Sequence, residues 1–486
     1  MEKKSGKSGI AIVFLTVIIL VALVPWYFII RGNFGDPENQ ASTQPSQQVD
    51  AEHEPADEGP PDNEPDHYPE YEDYNEDEYN YNYEEADPND SEQGSDEQIV
   101  RAETVLSIAA IHPGLHDELN AVSRQYNAVA VSMTIYDGEA NEFYTYEYGY
   151  ADLEAGRPVY TDTKFRVASL AKLTTVICAM ALVDEGLLDL DADISLYLGY
   201  DVINTSYPGT AITTRMLMQH TSSIFDSGAF QVSRDRNTSE SVRILLERGS
   251  SKRRGQPGTN FEYTNFGYAV LGAVCESVSQ RSLDTLARDV LFNPLSIDAG
   301  YVPSKMHDVE NVAVIYNDRH TITKSVQSQM SIMESQELGH DLHLAQGNLT
   351  ISIRDYARIL AMLGNGGALQ GVRILSPEAV SEMHIANVAG AAYAQGLATR
   401  YSFGDILPEE GFYWHTGSAY GLFSQYVYGA DLSLNRGIVV VATGATTGRE
   451  PNGMVSLNTD LIVAGWNSFN YLRSPYDQNG YDNVNQ

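Results

Sequence analysis

The sequence predicts a mixed α/β fold, in which the two ends of a globular region build one sheet and a helical insertion lies beside it. Two observations lead to this prediction. Segments with the pattern of β-strands occur near both ends of the region, and the stretch between them, about 193–363, has mainly helical patterns. A sheet closed by its N- and C-terminal segments fits this order of elements.

The first half of the globular region predicts a helix, a hairpin and a long buried helix. Asp137 and Gly138 give a turn signal between the two strands of the hairpin. The long helix is apolar on most of its faces and ends near Gly186, so we expect it to be buried. These predicted elements are a helix over 114–126, strands over 128–136 and 142–150, and a helix over 169–188.

The last part of the chain returns to strands. Ser376 followed by Pro377 is typical of a helix start, with serine as the N-cap and proline at the first helical position. The run of β-branched residues over 437–442 suits a buried central strand. The predicted strands cover 413–416, 422–428 and 437–443, and an amphipathic helix covers 456–472.

The N-terminal zone predicts a membrane anchor. Residues 9–30 form an apolar run, long enough to span about 30 Å of hydrocarbon as one helix. Lysines precede this run and Arg31 follows it, so the positive-inside rule places residues 1–8 in the cytoplasm and the rest of the chain outside. A cleavable signal peptide is the alternative, but no Ala-x-Ala site follows the run. We therefore expect a single-pass protein of the cell membrane.

Residues 31–99 predict an acidic, disordered tether. Residues 36–98 contain 23 Asp and Glu and no Lys or Arg, with very few large aliphatic residues. Such a segment cannot bury enough apolar surface to offset its chain entropy. A solvated spacer is the simplest interpretation, and divalent-cation binding or docking of a partner stay open as alternatives.

Residues 100–474 predict the globular domain, and residues 475–486 a polar tail. From residue 100 onward the chain has 26 basic and 42 acidic residues, a net charge of −16, which argues against nucleic acid or anionic lipid as a partner of this region. Cys178 and Cys275 lie in apolar stretches and are expected to be free core thiols. His340 and His343 have helical spacing, but two histidines without a third ligand do not predict a metal site. No metal and no organic cofactor are predicted.

The first segment with chemical meaning contains Ser169 and Lys172. Positions three apart share one face of a helix, so the amino group lies beside the hydroxyl. Among the eight lysines of the chain, only Lys172 has a serine three residues before it. A buried lysine near other cations can accept the serine proton, and the N–H groups at a helix start can stabilise an oxyanion. A nucleophile with its proton acceptor is the functional interpretation, and chance spacing is the alternative.

Two further segments complete the set of candidate site residues. Tyr263 can relay a proton when nearby cations favour its phenolate, and Asn265 offers a donor and an acceptor for a substrate amide. His415, Thr416, Gly417 and Ser418 lead into a predicted strand. A strand edge with glycine lets a substrate backbone approach closely, while the histidine and threonine can hold a carboxylate. The Ser418 N–H is a candidate oxyanion donor. A structural hydrogen bond is the alternative role for His415.

These segments, in this order, resemble those of the serine β-lactamase and penicillin-binding-protein superfamily, whose motifs include Ser-x-x-Lys. The Tyr-x-Asn form is similar to the branch of class C β-lactamases and D-alanyl-D-alanine carboxypeptidases. The resemblance covers nearly all of 106–472, and further similar segments are 149–152, 162–165, 217–222, 355–357 and 364–367. It implies an α/β (α+β) fold, with an antiparallel sheet lobe and flanking helices beside an all-α lobe and the cleft between them.

The resemblance also implies roles for the candidate residues. Ser169 would be the acylated nucleophile, Lys172 and Tyr263 would share proton transfer, and Asn265 would hold the substrate amide. Backbone N–H groups of Ser169 and Ser418 would form the oxyanion hole. No metal or organic cofactor is implied.

Three positions depart from the family pattern. His415 stands where β-lactamases and most penicillin-binding proteins have lysine, and a histidine there is similar to certain carboxypeptidases, D-aminopeptidases and esterase-like relatives. Ser223 replaces a common glycine, and Gln346-Gly347-Asn348 replaces a common Gly-Gly pair. These departures weaken the expectation of efficient β-lactam hydrolysis and leave acyl-enzyme chemistry in place.

Three functions are weighed on this basis. The first is a membrane-anchored extracellular serine DD-peptidase that acts on D-alanyl peptides of the cell wall. The second is another acyl hydrolase of the same fold, such as an esterase, D-amidase or β-lactamase. The third is a non-catalytic surface module that binds wall peptides or a protein. For a carboxylate substrate we expect a charged His415, so that binding weakens above about pH 6.5.

Overall fold

The computed structural model describes residues 102–472 apart from 236–240, 251–254, 391, 405–406 and 408–410. The predicted anchor over 9–30, the acidic tether over 31–99 and the polar tail over 475–486 lie outside the described residues. Among the helices that are described, none combines the length and the apolar character needed to cross a bilayer. The predicted domain boundaries stay predictions.

Sixteen strands occur in the described part of the chain. They are β1 Thr104–Ser107, β2 Ala130–Asp137, β3 Glu142–Asp152, β4 Arg157–Pro158, β5 Lys164–Arg166, β6 Ile315–Tyr316, β7 Ile322–Lys324, β8 Thr350–Ser352, β9 Ala368–Leu369, β10 Val372–Arg373, β11 Val388–Ala389, β12 Ala394–Gln395, β13 Arg400–Phe403, β14 Gly411–Ala419, β15 Leu422–Gly429 and β16 Arg436–Thr443.

The helices of the described part are mostly short, and the two longest are Asn265–Ser279 and Ala171–Asp184. They are Ile108–Ile111, Pro113–Gln125, Ala171–Asp184, Ser195–Leu198, Thr214–Met218, Gly228–Asp235, Val242–Leu245, Asn265–Ser279, Leu283–Ala287, Val326–Met330, Leu344–Gly347, Ile353–Gly364, Pro377–Met383, Ser456–Asn467 and Phe469–Leu472. Short 3₁₀ or π turns cover Ala168–Leu170, Leu246–Ser250, Arg288–Phe292, Pro303–Lys305 and Leu432–Leu434.

One large sheet joins the two ends of the described region, as the sequence predicts. Its order is β1-β3-β2-β16-β15-β14-β13-β12-β11, with β4 paired to β3. Neighbouring strands are antiparallel except for β1 beside β3. The N-terminal hairpin therefore joins the C-terminal strands through the pairing of β2 with β16. The long helical insertion, which lies between these strands in the sequence, packs beside the sheet. The expected α+β fold with an antiparallel sheet and flanking helices is confirmed.

Strand β16 shows how both faces of the sheet are covered. Val439 and Val441 pack into the core that contains the buried helix Ala171–Asp184, while Ile438, Val440 and Ala442 pack on the other face, against Leu115 and Leu457 of two flanking helices. Because successive side chains point to opposite faces, a strand buried on both sides needs an unbroken apolar run. The predicted central strand is confirmed for this reason.

Local signals also locate several helix ends. Ser376 caps Pro377–Met383 and accepts a hydrogen bond from the Ala379 N–H. The predicted helix over 169–188 begins as a 3₁₀ turn and becomes α-helical from Ala171 to Asp184, with Gly186 beyond its end at a φ of +71°. Cys178 of this helix and Cys275 are free and buried.

Candidate active site

The predicted site residues meet in one cleft of 620 Å³. Ser169, Tyr263, Asn265, Thr416 and Ser418 line it. Lys172 is buried behind Ser169, and His415 and Gly417 belong to the same strand as Thr416 but do not line the cleft. Three segments that are far apart in sequence are thus brought together by the sheet and the buried helix.

Ser169 lies in a tight turn that tertiary contacts hold in place. The preceding residue, Ala168, has a φ of +47°, a left-handed conformation that costs about 1–2 kcal/mol for a residue with a Cβ. Ser424 Oγ donates to the Val167 carbonyl at 2.7 Å, and Tyr356 donates to the Leu170 carbonyl at 2.9 Å. These two side chains fix the turn on both sides of the serine.

The side chain of Lys172 is fully buried and connects three parts of the site. Its Nζ donates to Ser169 Oγ at 3.2 Å, to Asn265 Oδ1 at 3.0 Å and to the Gln346 carbonyl at 2.7 Å. None of these partners is a carboxylate. The amino group is therefore held beside the nucleophile by neutral acceptors, which leaves it able to exchange a proton with the serine.

Tyr263 lies among cations that favour its phenolate form. Burial alone would raise the pKa of this tyrosine, but the charges of Lys172 and Arg400, together with hydrogen bonds to Ser169 and Lys172, outweigh burial and leave the pKa below its ordinary value of 10. The Lys172 Nζ lies 5.1 Å from the centre of the tyrosine ring. A tyrosine with a lowered pKa beside a serine hydroxyl has the properties of a general base.

His220 positions the segment that carries this tyrosine. Its Nδ1 accepts a hydrogen bond from the Thr264 N–H at 3.2 Å, and its ring lies 4.4 Å from the ring of Tyr263. Burial, and then the charges of Lys172 and Arg400, lower the pKa of His220 well below 6.5. The imidazole is therefore neutral, as its role as acceptor requires.

Asp226 is a functional residue that the sequence analysis missed. Its Oδ1 accepts hydrogen bonds from Thr264 Oγ1 at 2.9 Å, from Asn265 N at 2.8 Å and from Phe266 N at 2.8 Å. Its Oδ2 accepts from Asn265 Nδ2 at 3.0 Å, so the amide oxygen of Asn265 faces Lys172. Thr264, the N-cap of the helix Asn265–Ser279, is a local signal for the start of that helix. No local pattern indicated that a carboxylate 38 residues earlier contacts the same helix start.

Gly417 allows strand β14 to pass close to the nucleophile. A Cβ on this residue would lie 2.3 Å from Ser424 Oγ, 2.6 Å from the Val167 carbonyl and 3.0 Å from the Ser169 nitrogen. The backbone N–H of Ser169 therefore lies beside the strand that carries Ser418. This proximity is what a two-donor oxyanion hole needs.

The expectation of a charged His415 is wrong. The residue is buried, and its Nδ1 contacts the carbonyl of Thr416 at 2.8 Å. Burial, and then the charges of Arg400 and Lys172, lower the pKa of His415 well below 6.5. A neutral imidazole, whose ring lies 6.2 Å from that of Tyr263, cannot supply the positive charge that a substrate carboxylate needs, and binding through it should not weaken near pH 6.5.

Arg400 is a cation that does line the cleft, and no sequence motif pointed to it. It lies on β13 opposite Trp414 and lines the cleft, with its guanidinium 4.6 Å from the ring of Tyr393 and 5.0 Å from the ring of Trp414. Its Nε is buried and lacks a hydrogen-bond partner, and no ion pair to a carboxylate is found for it within the described residues. An aromatic-stacked cation, without a counter-ion among the described residues, faces the same space as Ser169.

The edge of β14 next to the cleft is open at the active-site end. Strand β15 pairs with β14 from Phe412 to Ala419, but β13 pairs only with Gly411 to Trp414. The segment from His415 to Ala419 therefore has no strand on its other side in the described structure. An extended peptide can add there by backbone hydrogen bonds.

The departures from the family pattern have structural roles. Ser223 has a φ of +65°, which explains why glycine suits this position, and its Oγ accepts from Asn204 Nδ2 at 3.0 Å. The carbonyl of Gln346 accepts from Lys172, and the carbonyl of Gly347 accepts from Arg166 at 2.9 Å. Among the residues that the structure describes, no cluster of three or more His, Cys, Asp or Glu could hold a metal ion.

Comparison with known proteins agrees with the fold and the motifs. The model of the Beta-lactamase family matches residues 115–458, which is more than half of the chain. The chain belongs to this family of serine β-lactamases and penicillin-binding proteins.

Individual relatives are distant. Penicillin-binding protein 4 of Amycolatopsis lactamdurans is 26% identical over 332 residues, which cover 64% of this chain and 81% of that protein. A β-lactamase/D-alanine carboxypeptidase of Pseudomonas syringae has a similar structure, with a TM-score of 0.57, 18% identity, and coverage of 75% of this chain and 100% of that one. An octameric penicillin-binding-protein homologue of Pyrococcus abyssi gives a TM-score of 0.58 at 19% identity, with 73% and 76% covered. At these identities the structural likeness establishes the fold alone.

Proposed function

We propose that this protein is a serine DD-peptidase, which forms an acyl-enzyme on Ser169 with peptides that end in D-alanyl-D-alanine. The observation that carries the proposal is the hydrogen-bonded group of Ser169, Lys172 and Tyr263 in a cleft that is also lined by the guanidinium of Arg400. A relative in sequence is named as a penicillin-binding protein, which is consistent with this proposal.

In the acylation step, Ser169 Oγ attacks the carbonyl carbon of the penultimate residue. Its proton passes to Tyr263, whose pKa the positive charge of Lys172 helps to lower, and the N–H groups of Ser169 and Ser418 stabilise the oxyanion. When the tetrahedral intermediate collapses, the C–N bond breaks and the amine of the departing D-alanine takes up the proton. Water then attacks the ester by the same route and releases the shortened peptide.

Substrate orientation follows from charge and from the open strand edge. The C-terminal carboxylate of the peptide fits the Arg400 guanidinium and the Thr416 hydroxyl, which line the same cleft. The peptide backbone lies along His415 to Ala419, and Asn265 contacts the amide next to the scissile bond. This places the scissile carbonyl over Ser169.

The location of the enzyme is part of the proposal. The apolar run over 9–30 would anchor it in the cell membrane, and the acidic segment over 31–99 would let the domain reach wall peptides outside the membrane. The runner-up is an esterase or D-amidase of the same chemistry, which needs Ser169, Lys172 and Tyr263 but not the carboxylate contact of Arg400.

The test is to incubate the full chain in detergent with benzylpenicillin and follow its intact mass. We expect an adduct that maps to Ser169 and is absent in Ser169→Ala, together with release of D-alanine from acetyl-Gly-D-alanyl-D-alanine. Acylation by esters without D-alanine release would favour the esterase or D-amidase. Labelling of Ser169→Ala at the wild-type rate would refute the assignment of the nucleophile.

A further inference from the structure

The active-site cleft is basic, although the protein carries a net charge of −36. Arg166, Arg400 and Arg449 line the cleft, and none of the described lining residues is Asp or Glu. Within the described residues, none of these arginines forms an ion pair with a carboxylate. In a chain with more than twice as many acidic as basic residues, three unpaired cations in one cleft indicate an anionic ligand.

The C-terminal carboxylate of a bound peptide would pair with Arg400, but further cations lie at the other end of the cleft. There Tyr420 is 47% exposed, with the Arg166 guanidinium 5.1 Å and the Lys324 Nζ 4.5 Å from the centre of its ring. We call Arg166, Tyr420 and Lys324 the basic tyrosine cluster. Thr323 Oγ1 donates to the Tyr420 carbonyl at 2.5 Å, so the turn that carries the ring is held by the strand that carries Lys324.

A second cavity of 460 Å³ continues the cleft beyond this cluster. Arg166, His343 and Tyr420 line both cavities, and Lys324 lines the second. The residues described around the second cavity include no acidic side chain either. A long ligand can therefore pass from the space around Ser169 over the Tyr420 ring without meeting negative charge.

Strand β14 indicates the direction in which a bound peptide would run and the distance between the two basic ends of the cleft. Thr416, beside the proposed carboxylate position, and Tyr420, just after the strand, are four residues apart, which corresponds to about 13 Å of extended chain. A peptide with its C-terminal carboxylate at Arg400 extends its N-terminal part toward Tyr420. The residue third from last, or the one before it, then reaches the basic tyrosine cluster.

We propose that the basic tyrosine cluster is a second anion-binding subsite, which selects acyl donors with a carboxylate one or two residues before the reacting, penultimate D-alanine. This inference rests on the proposed acyl-enzyme function and specifies its substrate class. Arg166 and Lys324 would bind the donor carboxylate, and Tyr420 would hold both cations in place through its ring.

The test compares two matched donors, acetyl-Glu-Gly-D-alanyl-D-alanine and its Gln analogue, with the full chain in detergent. We expect the wild type to prefer the Glu peptide by about tenfold in kcat/KM at low salt, the effect of one charge-assisted contact. Lys324→Gln should reduce this preference several-fold with little change for the Gln peptide, and 0.5 M NaCl should reduce it in the wild type.

A matched control is Arg243→Gln, because Arg243 also lies over a tyrosine ring, 5.1 Å from that of Tyr200, but outside both cavities. This variant should keep the wild-type preference. Equal use of the two peptides by the wild type, or a preference that Lys324→Gln leaves unchanged, would overturn the subsite.

Failure of the peptidase proposal can be recognised separately. The p-nitrophenyl esters of acetyl-Glu-Gly-D-alanine and acetyl-Gln-Gly-D-alanine acylate a reactive serine without any peptidase step. If neither peptide releases D-alanine but the Glu ester reacts faster in the wild type and not in Lys324→Gln, the subsite stands and the peptidase assignment falls. If both esters react equally, the subsite is refuted, whatever the peptides show.

Discussion

Replacing Asp226 with asparagine should impair acylation without unfolding the protein. The new side chain keeps an oxygen for the donors that Oδ1 now serves, including the backbone N–H groups of Asn265 and Phe266. Its NH₂ group replaces Oδ2 and meets the NH₂ group of Asn265, donor against donor. We expect the Asn265 amide to flip, so that its NH₂ group instead of its oxygen faces Lys172.

The magnitude follows from the hydrogen bond that the flip removes. Lys172 Nζ donates to Asn265 Oδ1 at 3.0 Å, and a hydrogen bond to a charged group contributes about 1.5–3 kcal/mol. If this contact orients the amine in the transition state, the loss corresponds to about a 10- to 150-fold slower acylation. Asp226→Ala removes all four hydrogen bonds, so it should also lower the unfolding midpoint.

The assay is the second-order rate of acylation by a fluorescent penicillin, with thermal unfolding measured in parallel. Asp298→Asn is the control, because Asp298 also accepts two backbone N–H bonds and pairs with Lys164, away from the cleft. Asp298→Asn should change the stability of the protein but leave the acylation rate close to that of the wild type. If Asp226 acts through Asn265, its effect should vanish in an Asn265→Ala background. Acylation of Asp226→Asn within twofold of the wild type would refute the reasoning.

Three further predictions concern single positions. Gly417→Ala should slow acylation more than 100-fold and lower the unfolding midpoint, because its Cβ would lie 2.6 Å from the Val167 carbonyl; a wild-type rate of adduct formation would contradict this. Arg400→Gln should raise KM for peptides with a free C-terminal carboxylate about tenfold and leave esters without one nearly unchanged, and an equal loss on both would exclude carboxylate binding. Burial raises the pKa of Glu276 to about 7, so its contribution to stability is favourable while the native state holds the proton and declines as pH rises from about 4.5 to 7. Relative to Glu276→Gln, the wild type should lose up to about 3 kcal/mol of unfolding free energy over that range. If denaturant unfolding gives the same difference in free energy between the two proteins at pH 5 and at pH 7.5, the assignment is refuted.

The sequence predicted the parts of the fold that short-range patterns specify. The unbroken apolar run of β16 has to be buried on both faces, and Ser376 with Pro377 specifies a helix start through one local hydrogen bond. The contact of Ser169 with Lys172 was also predictable, because helical geometry alone brings residues three apart together. In each case the physical cause lies within a few residues.

The charges of the site were not predictable in the same way. His415 was expected to bind a carboxylate in its charged form, and only its burial beside Arg400 and Lys172 explains why it is neutral. Arg400 lies in a four-residue strand without any motif, and it enters the cleft because β13 pairs with the start of β14. A pKa depends on all charges within several ångströms, whichever part of the chain they come from.

By itself, then, the sequence predicted the family, the main strands at the two ends of the large sheet, and the segment that we propose carries the nucleophile, since each of these depends on residues close together in the chain. Only the tertiary structure decided which carboxylate orients Asn265, that Arg400 lines the same cleft as Ser169, and that Arg166 and Lys324 meet over Tyr420. Those contacts join segments up to some 250 residues apart. They arise from strand pairing and core packing, in which the position of each side chain is set by the whole fold.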